Sequence, residues 1–273
     1  HPGRLEEARS VLRMLGALDA AHRITAHGRA LAGYPLHPRL AHMLEKGGKT
    51  APDLAMILSE PDFLRGFSTE LLHRVAALKD PERFQREHGV ELPQQTIRRL
   101  KQEARRIARR TTGNGIDTVA VLAALAYPDR VALRRAPGTQ RYVLANGKGA
   151  MLRDGDPLAA GRLLVATDLE GDPTESRIRL GTAIAESDLR AVFTDQIQWH
   201  DRCEWSRRDG RVLARREERY GALVLAERMW ADAPDADICS AMLDGVRQLG
   251  LKPGPAATRF LTRARLAVLV ALE

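Results

Sequence analysis

Apolar residues recur at helical spacing through the first third of the chain. Leu5, Ala8, Val11, Leu12 and Leu15 share one side of residues 4–15, and Gly16 ends the run. A short extended piece at 23–25 and a short helix through Leu31 follow. Together they predict a winged-helix-like unit, incomplete at its front. Pro38 opens a helix to Lys46, and Pro52 and Asp53 open another to Ser59, which Pro61 stops. Residues 68–79 predict a further helix with Leu71, Leu72, Val75 and Leu78 inward.

Residues 93–110 form the most charged helix. Ile97, Leu100, Ala104, Ile107 and Ala108 make its apolar stripe. Arg98, Arg99, Lys101, Arg105, Arg106, Arg109 and Arg110 occupy the rest, opposed within the segment by Glu103 alone. Residues 111–115 (T-T-G-N-G) read as a linker, and the period then changes.

Asp117 is positioned to cap a helix ending before Pro128. Alternation then predicts strands at 130–135, 141–145, 148–153, 163–169 and 177–183, with Asn146-Gly147 as a tight hairpin turn. Five short strands and a small helix fit an OB-type barrel, with a β-sandwich piece as the competing arrangement. Beyond residue 191 a hairpin is expected from 196–206 and 211–217 around Asp209-Gly210, with a candidate strand at 221–230. Helices follow near 235–249, capped by Asp235 or Asp237 and ended by Gly250, and near 255–271. The fold class expected is α+β multidomain. Its parts are a winged-helix-like remnant (1–35), a helical bundle (36–115), an OB-like β-barrel (116–190) and a mixed α/β extension (191–273).

Composition changes the picture in one respect. The 273 residues carry 43 Lys and Arg against 35 Asp and Glu, a net charge of +8. Only six of the basic residues are lysine. Arginine forks onto phosphate and stacks on bases, so the bias suits nucleic acid, although GC-rich codon usage also yields it. No apolar run is long enough to span a membrane, and no signal pattern supports secretion. Cys203 and Cys239 are too few for a disulfide scaffold and read as buried thiols of a cytoplasmic protein. The chain opens on His1, so it reads as a segment of something longer.

Few segments suggest catalysis. Gly47-Gly48-Lys49-Thr50 matches the end of a phosphate-binding loop, but Met43 stands where the opening glycine belongs and a helix precedes it. It reads as a helix C-cap and turn. The histidines lack metal-ligand spacing and read as capping and surface residues. No catalytic residue and no metal site is assigned. Nucleic-acid contacts are expected from Arg98, Arg99, Lys101, Arg105, Arg106 and Arg109 of the basic helix, and from Arg130, Arg134, Arg141, Tyr142 and Lys148 of the barrel, with Tyr142 as the stacking ring. Arg135 adds charge to the same barrel stretch. Trp199, Trp205 and Trp230 read as core.

Three runs carry a family resemblance. They are Leu15-Gly16-Ala17-Leu18-Asp19, Ile24-Thr25-Ala26-His27-Gly28-Arg29-Ala30-Leu31-Ala32, and Tyr34-Pro35-Leu36-His37-Pro38-Arg39-Leu40-Ala41-His42-Met43-Leu44. They resemble the helicase-associated region of DEAH-type ATP-dependent helicases. Ala126-Tyr127-Pro128-Asp129-Arg130-Val131, Arg141-Tyr142-Val143-Leu144-Ala145-Asn146-Gly147-Lys148-Gly149-Ala150 and Gly221-Ala222-Leu223-Val224-Leu225 are similar to the bacterial HrpB branch. The resemblance implies the end of a winged helix, a helical ratchet bundle, an OB-like barrel and an HrpB-type extension, with two motor domains upstream. ATP and Mg would bind in those motor domains and no cofactor in this segment. The segment would grip single-stranded RNA or DNA without hydrolysing ATP. The alternative is an interaction scaffold whose barrel and extension dock a protein partner.

Overall fold

Prolines and capping side chains set most of the helix starts. The computed structural model describes residues 2–111, 114–171, 175–250, 254–255, 257–260 and 262–263. Helix α1 (Pro2–Met14) ends where Gly16 takes φ 70°. The extended piece survives as a bridge between Leu18 and Ile24. Thr25 then caps α2 (Ala26–Ala32) by accepting the Gly28 N–H at 2.9 Å. His37 caps α3 (Pro38–Lys46), its Nδ1 accepting the Arg39 N–H at 3.3 Å. Helices α4 (Ala51–Ser59), α5 (Leu71–Lys79), α6 (Pro81–His88), α7 (Gln94–Ala108) and α8 (Val119–Ala126) complete the helical half. Helix α4 packs on α7, and α3 packs on α8.

Three local expectations are corrected here. Leu72 is 48% exposed, because it sits one step round α5 from buried Leu71. Ala108 is exposed, as the last residue of α7. Asp117 does not cap α8; its Oδ1 accepts the Thr50 N–H at 2.8 Å, holding the start of α4 instead. That bond explains Gly47–Thr50. Residues 114–116 bridge to Gly47 and Gly48, and a Cβ on Gly48 would lie 2.7 Å from the Asp117 carboxylate. An acid and a packed backbone fill the place a phosphate would need.

The strands then close. β1 (Val131–Arg134), β2 (Arg141–Leu144), β3 (Gly149–Met151), β4 (Leu163–Gly171) and β5 (Glu175–Ala183) form a closed barrel in the order β1-β2-β3-β5-β4. All pairs are antiparallel except β3 with β5. Asn146-Gly147 makes the β2–β3 turn, with Gly147 at φ 86° and Asn146 Oδ1 accepting the Lys148 N–H at 3.0 Å. Tyr142, Leu144, Ala150, Leu152, Leu164, Ala166 and Ile178 fill the interior. A buried ion pair joins helices to barrel: Arg39 donates to both Asp129 oxygens at 2.5 and 2.9 Å and to the Ala126 carbonyl at 3.2 Å. Helix α9 (Glu186–Val192) follows the barrel.

The chain divides into two compact units, residues 1–198 with 220–223, and 199–219 with 224–273. Within the first, Tyr220 is buried, its hydroxyl donating to the Pro128 carbonyl at 3.2 Å. The second contains most of a three-stranded sheet, β6 (Ile197–Ser206), β7 (Arg211–Tyr220) and β8 (Leu223–Met229), and α10 (Asp235–Leu249). Gly210, at φ 61°, turns the β6–β7 hairpin. Gly245 of α10 lies on Trp205, where a Cβ would come within 2.4 Å of the indole.

The second unit brings further corrections. Neither Asp235 nor Asp237 caps α10; Pro234 holds that position, and both acids sit in the first turn, favourable to the helix dipole. Of the three tryptophans only Trp230 is buried, and Trp199 is 44% exposed under the Arg228 guanidinium, 4.4 Å from its ring. Cys203 is half-buried and Cys239 exposed, so neither is the buried thiol expected. Residues 255, 257–260 and 262–263 are helical, while the rest of the helix expected at 255–271 lies outside the described residues.

Candidate nucleic-acid interface

Helix α7 turns its stripe of Ile97, Leu100, Ala104 and Ile107 into the bundle, and all four are buried. That burial fixes where its cations go. Arg99 donates to both Glu60 oxygens at 2.7 and 3.1 Å, and this bonding lowers the Glu60 pKa. Lys101 is half-buried and donates to the Lys79 carbonyl at 3.3 Å. Arg106 lies 3.8 Å from Glu103 but is 78% exposed, a loose contact. Arg110 donates to the Gly33 carbonyl at 3.1 Å. Arg98, Arg105 and Arg109 are exposed, and no described acid makes an ion pair with them, although the Arg105 charge reaches half-buried Asp53. Their spacing of seven and four residues puts the three on one face, spread over about 16 Å of helix.

The barrel residues are less free. Arg130 donates to the Thr167 carbonyl at 3.2 Å and lies 5.0 Å from the Tyr127 ring. Arg134 donates to the Ala159 carbonyl at 2.5 Å. Arg141 is exposed, 3.8 Å from Glu175, and Lys148 pairs with Glu7 at 3.0 Å. A groove of about 540 Å³ is lined by Arg130 and Lys148 together with Arg39, Asp129 and Glu7. Two of its three cations are spent on its own acids.

Tyr142 is a correction. It is fully buried in the barrel, its hydroxyl donating to the Gly161 carbonyl at 3.2 Å, and burial raises its pKa. On a strand this short, alternation puts Tyr142 and Leu144 inside and Arg141 outside, so no base can reach the ring.

The residues missed from sequence are Arg65, Phe67, Arg153 and Arg177. They meet in a cleft of about 560 Å³ between the α4–α5 loop and the barrel. They are scattered over the chain, and only the folded β5 and the loop bring them together. Among the described residues no group of three or more His, Cys, Asp or Glu is arranged to hold a metal, and no helix is long and apolar enough to cross a membrane.

Comparison with known proteins gives these positions a context. The family described as the connector region of ATP-dependent RNA helicase HrpB matches residues 196–228, the three strands of the second sheet. The ATP-dependent RNA helicase HrpB of Escherichia coli (strain K12) is 32% identical over 253 residues, 89% of this chain and 29% of the relative. The crystal structure of the E. coli DExH-box NTPase HrpB superposes with a TM-score of 0.67 at 31% identity, over 90% of this chain and 29% of that one. A structure of the E. coli DEAH/RHA helicase HrpB gives 0.66 at 29% identity, over 90% and 30%. The chain thus spans about 29% of the relative's length. With that likeness running from the helical half through the connector strands, the chain matches a C-terminal segment of the HrpB-type DEAH-box helicases.

Proposed function

We propose that this chain is the nucleic-acid-gripping portion of an ATP-dependent helicase, and that it does not hydrolyse ATP by itself. The observation that carries the reading is the α7 face on which Arg98, Arg105 and Arg109 stand exposed with no ion pair to a described acid. Cations left unpaired on a rigid helix release counterions when phosphates replace water. In this reading residues 1–35 are the end of a winged helix, 36–115 a ratchet bundle, 116–190 an OB-like barrel and 191–273 an extension. Motor domains elsewhere in the full protein would hold ATP and Mg and do the hydrolysis, and the protein would work in the cytoplasm.

The test is binding of a labelled single-stranded oligonucleotide over a salt series. Three phosphate contacts on single strands give a log–log slope near −2, at roughly −0.7 per contact. Reversing charge at Arg98, Arg105 and Arg109 together should reduce the observed slope by about 2 and weaken every sequence alike. Reversal at Arg99 alone should do less, since Glu60 already holds it. An unchanged slope in the triple variant refutes the α7 role.

A second reading, a scaffold that docks a protein partner, draws on the second unit. Met242, Leu243, Val246 and Leu249 of α10 are all exposed. Retention of a purified partner by the chain, lost on Val246→Asp with nucleic-acid binding intact, would favour it.

A further inference from the structure

The cleft between the α4–α5 loop and β5 is built rather than incidental. Thr69 Oγ1 bonds both oxygens of Asp156 at 2.7 Å, and the Gly181 N–H donates to the Thr69 carbonyl at 2.9 Å, so the loop is tied to the barrel. Arg74, 1% exposed, donates to Asp62 and to the Leu64 and Glu70 carbonyls, fixing the loop from beneath. Three acids line the cleft, and each is already spent. Asp62 holds Arg74, Asp156 holds Thr69 and the Leu158 N–H, and Glu170 holds Arg179 at 2.9 Å. Arg177 lies opposite Glu170 in the β-ladder, yet that carboxylate is bound to Arg179.

What remains is Arg65, Arg153 and Arg177, all exposed and none paired with a described acid. Phe67 stands beside them, 36% exposed and lining the same cleft. Its ring is braced edge-on by His73, Phe84 and His88 at 5.4–5.7 Å between centroids. A braced aromatic ring beside three forked cations matches the two needs of a single strand, a stacking surface and phosphate partners. An acidic peptide would use the cations but not the ring. The volume, about 560 Å³, is in the range that takes a small ligand.

We infer that this cleft is a binding site for single-stranded nucleic acid, in which Phe67 stacks a base and Arg65, Arg153 and Arg177 take the flanking phosphates. The inference rests on the gripping function proposed above, but shares no residue with α7.

The experiment measures fluorescence anisotropy of a labelled oligo-uridine RNA with the chain and four variants, across salt, each checked for native circular dichroism. Phe67→Leu should weaken binding about 5- to 150-fold at fixed salt and leave the salt slope unchanged. Phe67→Tyr, which keeps the ring, should bind like the wild type. Arg153→Gln with Arg177→Gln should reduce the slope by about 1.4. The α7 triple charge reversal is the fourth variant. Wild-type affinity and slope in the Phe67→Leu and Arg153→Gln/Arg177→Gln proteins, with loss in the α7 variant, overturns the cleft and leaves the gripping function standing. No binding by the wild type overturns both. Displacement of the RNA by poly-glutamate as readily as by unlabelled RNA marks a site for acidic chains and overturns the inference.

Discussion

Replacing Arg74 by methionine removes the side chain that holds the α4–α5 loop, and the structure sets the size of the effect. The guanidinium makes four hydrogen bonds: to Asp62 at 3.0 and 2.7 Å, to the Leu64 carbonyl at 3.0 Å and to the Glu70 carbonyl at 3.1 Å. Methionine matches the side chain only as far as Nε, so the loss is chiefly polar, with a small cavity where the last three heavy atoms of this buried group stood. Breaking a buried pair by removing one partner costs about 3–5 kcal/mol. The Asp62 side chain is 21% exposed and gains water when its partner goes, which draws the cost toward the lower figure. With a urea m-value near 2 kcal/mol/M, about 3 kcal/mol lowers the midpoint by about 1.5 M. Far-UV circular dichroism is the right probe, because the helices dominate its signal. Tryptophan emission is not, since Trp199, Trp205 and Trp230 all lie in the second unit. Adding Asp62→Asn should recover part of the loss by removing the orphaned charge, a coupling of about 1–3 kcal/mol. A midpoint shift under about 0.5 M for Arg74→Met would show that the loop is held by its tie to the barrel instead.

Three other outcomes follow from the same geometry. His42 bonds His27 ring to ring at 2.8 Å, and burial first, then the His27 charge, pushes its pKa down to about 4. The neutral form is therefore favoured in the fold: the stability it contributes is complete above about pH 6.5 and is lost as pH falls toward 4, by about 2–3 kcal/mol. Acid titration of the melting temperature checks this, and His42→Gln should flatten that limb. Tyr142→Phe should cost about 1 kcal/mol, one hydrogen bond, and leave oligonucleotide affinity unchanged; a drop in affinity would return Tyr142 to the interface. Gly115→Ala puts a Cβ 2.1 Å from the Lys46 carbonyl and should destabilise by about 1–3 kcal/mol or more in thermal melts.

Much of this architecture is written locally. Pro38 with His37 before it, the 97-100-104-107 stripe and the Asn146-Gly147 and Asp209-Gly210 turns each act over a few residues, and each element stands where the pattern puts it. Helix α6 had readable boundaries, Asp80 and Pro81 at one end and Gly89 at φ 64° at the other, but Phe84 is its only buried residue. One apolar position gives no period to detect. Tyr142 shows a different failure. The alternation Arg141-Tyr142-Val143-Leu144 already assigns the ring to the Leu144 side, and an aromatic among cations draws attention away from that parity.

The charges divide along the same line. A cation's position on α7 follows from helix geometry, but whether it is free depends on what approaches from elsewhere. Glu60, 39 residues before Arg99, neutralises it, while nothing described neutralises Arg98 beside it. The cleft is the extreme case. Arg65, Arg153 and Arg177 share no segment and no motif, and each alone is an ordinary surface arginine. They become a site only because Arg74, Thr69 and Gly181 fasten one loop to the barrel, and because Asp62, Asp156 and Glu170 are consumed in that fastening and in holding Arg179. The acids that would cancel the cleft's charge are spent on building it. A binding surface of this kind is a balance of pairings over the whole fold, and counting basic residues along a chain cannot find it.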